Sequence, residues 1–278
     1  MNDPLVSVIC LCHNQAAFVE EALQSVLSQT YPTVELIIVD DSSTDGSKDR
    51  IREFLRDHPH VPFVDHALPQ GNCRAFNSGW RMSSGKYVID LAADDVLLSD
   101  RIQVGVDRLQ ETGAGVHFSD AWLINSYGQS LGRHNERFKE VIPEGDLYVE
   151  LVRRYLICPP TMLIRREVLE ALGGYDESLA YEDFDFWVRS ARQFHYAFTD
   201  RPLIKKRLLT HSHARTQEKF RNSHQRSTLE VCKKIARMNR TGEERKALKE
   251  RLWHELRQSI KKGNLGLIPD YLSLLKQC

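Results

Sequence analysis

Three acidic pairs could carry chemistry in this 278-residue chain: Asp40-Asp41, Asp94-Asp95 and Glu182-Asp183. Neighbouring carboxylates repel unless a cation or hydrogen-bond donors offset their charge. Oxygen-only ligation of that kind suits Mg²⁺ or Mn²⁺, above all where a phosphate completes the shell. A carboxylate can also accept the ring N–H of uracil or guanine, and another can hold ribose hydroxyls. If the first two pairs follow parallel strands, both lie on one edge of the sheet and could divide a nucleotide between them. Each pair has a plainer reading too. Asp40-Asp41 could be a polar turn, Asp94-Asp95 the cap of a helix starting near Asp100, and Glu182-Asp183 acids meeting a helix dipole.

The elements that must position these acids alternate along the first hundred residues. Residues 5–12 are an unbroken apolar run, as in a strand covered on both faces. Residues 16–28 carry Phe18, Val19, Ala22, Leu23, Val26 and Leu27 at helical spacing, and Pro32 follows. Residues 34–39 read as a second buried strand, 47–57 as a helix, 63–64 as a short strand and 73–82 as a helix. The stretch from Gly85 to Asp95 reads as turn, buried strand and acid pair. Beyond it, helices are expected at 101–112, 147–155, 166–172 and 182–193, strands at 115–120 and 161–164, and short strands around Pro202 over 194–209. Strand–helix alternation predicts an α/β fold with a mostly parallel sheet. No GxGxxG follows the first strand and no GxxxxGK[ST] occurs, so neither a typical dinucleotide site nor a P-loop is expected.

Formal net charge is zero, but from Arg215 onward 16 Lys and Arg face 7 Asp and Glu. A basic tail on an acidic body suggests contact with an anionic surface, or docking on the protein's own acidic part. Its cations lack interleaved aromatics, so no nucleic-acid partner is expected. The six cysteines show neither CxxC nor zinc spacing. Cys10 and Cys12 read as small core residues, and the chain as one for a reducing compartment. No secretory signal and no apolar run of membrane-spanning length are recognised.

Several segments occur together and in order: Val6-Ser7-Val8-Ile9, His13-Asn14, the run from Ser25 to Pro32, and the run from Val39 to Ser47. Asn77-Ser78-Gly79, Gly85-Lys86-Tyr87-Val88 and Asp94-Asp95 follow, then Gly173-Gly174-Tyr175-Asp176 and Glu182-Asp183 with Trp187 and Arg189. The set resembles the family 2 glycosyltransferases of GT-A fold, over roughly residues 4–215. The resemblance implies a Rossmann-like, mostly parallel central sheet flanked by helices, with a C-terminal helical appendage. It implies a glycosyltransferase domain at 1–215, divided into a nucleotide-sugar half (1–100) and an acceptor half (101–215), and a basic helical extension at 216–278.

By the same resemblance, Asp41 would accept from the donor's base. His13 would stack on the base where the family usually has Tyr. Asn77 would line the donor cleft and Asp94 would touch ribose or metal. Asp95 would ligate Mn²⁺ or Mg²⁺, Asp183 would be the catalytic base, and His213, or else His211, would reach the diphosphate. Where the family often reads Asp-x-Asp-Asp, this chain has Ala92-Ala93-Asp94-Asp95. The implied reaction is inverting transfer of a sugar from a nucleotide-diphosphate donor to a saccharide or lipid-linked acceptor in cell-surface polysaccharide or glycoconjugate synthesis. It would be cytoplasmic, with an option of peripheral contact at the inner membrane face through the basic tail. The alternative is a catalytically weak or inactive nucleotide-sugar-binding protein of the same fold. Nucleotidyl transfer would want a glycine-rich basic signature after the first strand, which His13-Asn14-Gln15-Ala16 lacks. Trp122 and Trp187 read as core or cleft-wall residues, and Arg74 and Arg189 as phosphate contacts or salt bridges.

Overall fold

The computed structural model describes residues 3–209 and 224–278, so His211 and His213 lie outside the described residues. The chain forms two compact units, neither a single stretch of sequence. One comprises Met1–Gly145, Ile157–Tyr175 and His195–Leu208; the other comprises Asp146–Leu156, Asp176–Phe194 and Leu209–Cys278.

In chain order the elements open with β1 (Val6–Cys12), α1 (Val19–Leu27), β2 (Val34–Asp40), α2 (Ser47–Asp57), β3 (Phe63–Asp65) and α3 (Asn72–Met82). Then come β4 (Tyr87–Ala92), β5 (Val96–Leu97), α4 (Arg101–Thr112), β6 (Val116–Ile124) and β7 (Ser130–Arg133). They continue with α5 (Tyr148–Arg153), β8 (Leu163–Arg165), α6 (Arg166–Leu172), α7 (Asp183–Ala191) and β9 (Tyr196–Arg207). The last three are α8 (His224–Met238), α9 (Gly242–Lys261) and α10 (Ile268–Leu275).

The first unit is built on a sheet of order β3-β2-β1-β4-β8-β6-β9-β5, with β7 on β6. Its long ladders are parallel: β2 and β4 flank β1, β3 joins β2, and β9 joins β6. The short β8 runs antiparallel between β4 and β6, and β5 antiparallel to β9. The C-terminal ends of β1, β2, β3, β4, β6 and β9 therefore share one edge.

Every residue of β1 is buried, because helices cover both faces. On one face Val6, Val8, Cys10 and Cys12 pack in a cluster with Val19, Leu23 and Val26 of α1, Ile51 of α2 and Ile102 of α4. On the other, α3 lies so close that a Cβ on Gly79 would meet Ile9 Cγ2 at 2.6 Å and Val39 Cγ2 at 2.9 Å. Cys10 and Cys12 are thus core residues, and none of the six cysteines is in a disulfide.

The predicted bounds of α2, α4 and α6 match the structure. The first helix instead starts at Val19, three residues later than its apolar pattern suggests. The backbone N–H groups of Asn14, Gln15 and Ala16 donate to Ser43 Oγ, Ser47 Oγ and Asp45 Oδ2, so that segment is held as a loop. The short strands expected around Pro202 are one twelve-residue strand, β9. Its ladder to β6 slips there, pairing Ser119 with Thr199 but Asp120 with Pro202. Proline offers no N–H to a ladder, and a bulge accommodates it.

The second unit is helical. Leu229, Val231, Cys232 and Ile235 of α8 and Ala247, Leu248 and Leu252 of α9 are buried in it, with Phe184, Phe186 and Trp187 of α7. Part of the tail's positive charge is paired inside this unit: Arg251 with Glu255, and Lys234 with Asp176 and Asp185. Among the described residues no helix is long and apolar enough to cross a membrane.

Candidate active site

The parallel edge of the first unit collects His66, Asp40-Asp41, His13 and Asp94-Asp95 just at or past the ends of β3, β2, β1 and β4. The turn after β2 is knotted to the loop after β1. Asn14 and Ser42 both take left-handed backbone, with φ of 56° and 64°. The backbone N–H of Thr44 donates to Asn14 Oδ1 at 2.8 Å. His13 Nδ1 lies 2.7 Å from the Asp41 carbonyl oxygen, which orients its exposed ring beside the acid.

Asp40 and Asp41 differ in role. Asp40 is fully buried, and its Oδ1 accepts the Ser43 N–H at 2.8 Å, with Lys48 Nζ 3.7 Å away. It is the turn-former. The Asp41 carboxylate accepts from the N–H groups of Gln70 and Gly71 at 2.7 and 2.8 Å, and His66 Nδ1 lies 2.9 Å from its Oδ1. Burial raises its pKa, but these three donors outweigh it and hold the carboxyl below its ordinary value. A carboxylate offers about four lone-pair positions, so this one keeps acceptor capacity for a ligand.

Asp94 and Asp95 follow β4 in a tight turn, in which the Asp95 N–H donates to Ala92 O at 3.0 Å. They do not cap α4, whose N-cap is Asp100. Both are buried. Asp95 Oδ1 accepts the backbone N–H of Arg207 at 2.8 Å, and Arg207 Nε donates to the Asp94 carbonyl at 3.0 Å. Arg207 also pairs with Glu21 at 2.6 Å and lies over the Phe18 ring at 4.5 Å. The end of β9 thus fixes the acid pair. Burial first, and the adjacent Asp94 charge second, push the Asp95 carboxyl up to about 8.

A buried pair of hard oxygen donors with mutual repulsion fits a divalent cation whose remaining positions phosphate and water would fill. Among the described residues no set of three His, Cys, Asp or Glu side chains gathers into a metal cluster. Asp94 and Asp95 would supply the protein's share.

Asn77 is directed elsewhere. On α3 and buried, it donates through Nδ2 to the Tyr175 carbonyl and accepts the Tyr175 N–H through Oδ1, both at 2.9 Å. Phe76 stacks on Tyr175 with ring centroids 4.2 Å apart. Asn77 thereby braces α3 to the Gly174-Tyr175 turn. Asp183 is the first residue of α7 in the second unit, with Glu182 at the N-cap. Trp187 is buried, and Arg189 Nε donates to Asp185 Oδ2 at 2.6 Å, a salt bridge.

Residue type alone does not mark His66, Gln70 and Gly71 as the partners of Asp41, or Arg207 as that of Asp94-Asp95. His66 directly follows β3 on the functional edge, so the strand-end rule applied to Asp41 would have singled it out. Arg207 ends a Lys-Lys-Arg run with no such marker.

The sequence profile of glycosyl transferase family 2 matches residues 7–173. A putative teichuronic acid biosynthesis glycosyltransferase, TuaG of Bacillus subtilis, is 30% identical over 166 residues, 59% of this chain and 63% of that protein. This chain therefore spans less than two thirds of that relative. Among solved structures, S. aureus TarS 1-349 in complex with UDP-GlcNAc superposes with a TM-score of 0.72 at 17% identity, covering 98% of this chain and 79% of that one. The mannosyltransferase PcManGT from Pyrobaculum calidifontis, in complex with GDP-Man and Mn²⁺, gives 0.67 at 20% identity over 99% and 75%. At these identities the structural likeness establishes the GT-A fold.

Proposed function

This chain belongs to glycosyltransferase family 2, and from that membership we propose that it moves a sugar from a nucleoside-diphosphate donor to an acceptor hydroxyl with inversion at the anomeric carbon. One observation carries the proposal: a single parallel sheet edge holds a charged Asp41 with acceptor capacity to spare and a buried Asp94-Asp95 pair. Such an edge is where open α/β sheets bind nucleotides.

Asp41 accepts the N–H of the base, and the ring of His13, held by the Asp41 carbonyl, stacks on it. Asp94 faces the ribose. Asn77 acts on the donor cleft by bracing α3 rather than by direct contact. Asp95 with Asp94, joined by His213, would hold Mn²⁺ or Mg²⁺, which when bound offsets the charge gathering on the diphosphate. Asp183 takes the proton of the acceptor hydroxyl. The acceptor oxygen bonds to C1 as the C1–O bond to the diphosphate breaks, and the electron pair leaves with the diphosphate. Displacement by one base on the face opposite the leaving group inverts the centre.

The description of TuaG supports an acceptor in cell-surface polysaccharide synthesis, saccharide or lipid-linked. The outer face of α9 sets exposed Trp253 and Ile260 among Lys246, Lys249 and Arg257 at helical spacing, which supports peripheral contact with an anionic membrane surface. Ala92-Ala93 favours the second reading, a donor-binding protein with weak or no turnover.

Release of nucleoside diphosphate from a panel of nucleotide sugars, with and without Mn²⁺, decides between them. Transfer predicts Mn²⁺-stimulated release that Asp183→Asn lowers by about 100-fold or more, the size of a general-base contribution. Binding of a nucleotide sugar by calorimetry with no turnover selects the second reading, and full activity in Asp183→Asn removes that residue as base.

A further inference from the structure

We propose that α8, in the basic C-terminal stretch, is the positioning element of the base-bearing segment, with Lys234 as its pivot. The proposal deepens the assignment of Asp183 as base and rests on it. All the residues concerned lie in the second unit.

Asp183 stands at the start of a nine-residue helix whose N-cap side chain makes no capping bond. With no cap bond from Glu182, contacts on the flanks help position that start. α8 grips both. Upstream, the Ala180 N–H donates to Ser227 Oγ at 3.0 Å. The Tyr181 hydroxyl lies 2.7 Å from Thr228 Oγ1, whose own proton goes to the His224 carbonyl at 3.0 Å. The Tyr181 and His224 rings stack at 5.6 Å.

Downstream, Lys234 Nζ donates to Asp185 Oδ1 at 2.6 Å, and it also donates to Asp176 Oδ2 at 2.5 Å. One ammonium thus ties the two ends of the segment, residues 176 and 185, to one point on α8. Asp185 is 1% exposed, so its charge needs this partner together with Arg189. The other Asp176 oxygen accepts from the N–H and hydroxyl of Ser178 at 2.9 and 2.6 Å, which closes the intervening turn. Three ties upstream, at Asp176, Ala180 and Tyr181, and one downstream, at Asp185, all to two turns of a single helix, leave the base little freedom. A base must sit within about 3 Å of the proton it removes, and a displacement of about 1 Å can cost on the order of 100-fold in rate.

The test uses the full chain and compares Lys234→Met and Lys234→Arg with Asp183→Asn. Three measurements are made: amide hydrogen exchange, UDP affinity with Mn²⁺, and UDP release from UDP-N-acetylglucosamine. The expected result in Lys234→Met is faster exchange over residues 176–186 by about tenfold or more, with exchange in residues 5–40 unchanged. UDP affinity and donor KM stay within twofold, while kcat falls about 10- to 100-fold. Lys234→Arg, which can also bridge two carboxylates, recovers most of the rate. If Lys234→Met fails to fold, Tyr181→Phe, which removes the hydroxyl links to Thr228 on α8 and to Tyr155, must show the same split on a smaller scale. Unchanged exchange over 176–186 together with kcat within twofold of wild type overturns the proposal. Asp183→Asn separates the two ideas, because loss of turnover without faster exchange supports the base. Full turnover in Asp183→Asn with a loosened segment in Lys234→Met removes the base and leaves the brace standing.

Discussion

Asp41 and Asp95 stand at the ends of β2 and β4 on the same sheet edge, yet their surroundings drive them in opposite directions. Asp41 meets two backbone N–H groups and the His66 ring, and its carboxyl is held below its ordinary value. Asp95 meets one backbone N–H and a second carboxylate in a buried place, and its carboxyl is pushed up to about 8. Burial acts on both; the count of donors decides the sign. Asp41 is therefore a finished acceptor, charged before any ligand arrives. Asp95 is a site whose charge is completed only by a cation. One edge carries a hydrogen-bonding station for a base and an electrostatic station for a diphosphate, two strand steps apart with β1 between them.

The sharpest way to break this contrast is Asp95→Ala. A metal station predicts that Mn²⁺-stimulated release of nucleoside diphosphate falls by about 1,000-fold, because the offset of leaving-group charge is lost. UDP affinity measured without Mn²⁺ should move less than threefold, since Asp41 is untouched. If the release rate and the metal-free UDP affinity fall together, the two stations are not separate and the contrast is wrong.

Next in size is the pH dependence of metal binding. The Asp95 carboxyl is raised in the fold from 3.8 to about 8, so the metal-free folded state binds its proton more tightly than the unfolded chain does. Stability of the metal-free protein should therefore fall as pH rises from about 4 to about 8. Mn²⁺ takes the ionised form, so its affinity should rise by up to about tenfold per pH unit below 8, with release of one proton. Titration calorimetry at pH 6 and pH 7.5, in two buffers of different ionisation enthalpy, reads both quantities. A pH-independent affinity with no proton release would show that Asp95 is ionised without a cation.

Much of this edge could be read from the residues in order, and the unread part has a common cause. The strand at β1 is legible because seven consecutive buried positions leave no polar alternation to misread. α2 and α4 are legible because Gly46 and Asp100 stand just before them and Gly113 just after. The acids themselves are legible as neighbours at strand ends. What sets their charge is not, since Gln70 lies 29 residues from Asp41 and Arg207 lies 112 from Asp95. β8 carries three residues and no period, so its antiparallel insertion between β4 and β6 left no trace in the pattern. Asn77 was placed on the right helix, but whether an amide faces ligand or a distant turn depends on Tyr175, 98 residues on. The tail reads as a charged appendage because the partners that tie Lys234 and Arg251 to the rest of the unit, Asp185 and the Val152 carbonyl, come from earlier helices.

The smallest expected effect sharpens the contrast most finely. His66→Ala removes one of the three donors on Asp41 and leaves the two backbone N–H groups in place. One hydrogen bond to a charged acceptor is worth about 1.5–3 kcal/mol in a well-formed case, and about 1 kcal/mol is expected here because two backbone N–H groups still hold the acid. The sign follows from the lowered carboxyl: the stability it contributes is present above its unfolded value near 4 and lost as pH falls through the folded one. The variant should thus be less stable at pH 7, and the gap to wild type should close as pH drops below about 4. Its UDP affinity should fall a few-fold at pH 7, with the acid limb of binding shifted to higher pH. Chemical denaturation at pH 7 and pH 3.5, paired with UDP titrations across the same range, measures all three. An unmoved acid limb would mean that Gln70 and Gly71 alone keep Asp41 charged, and that the finished character of this station is a property of the backbone after β3 rather than of the histidine.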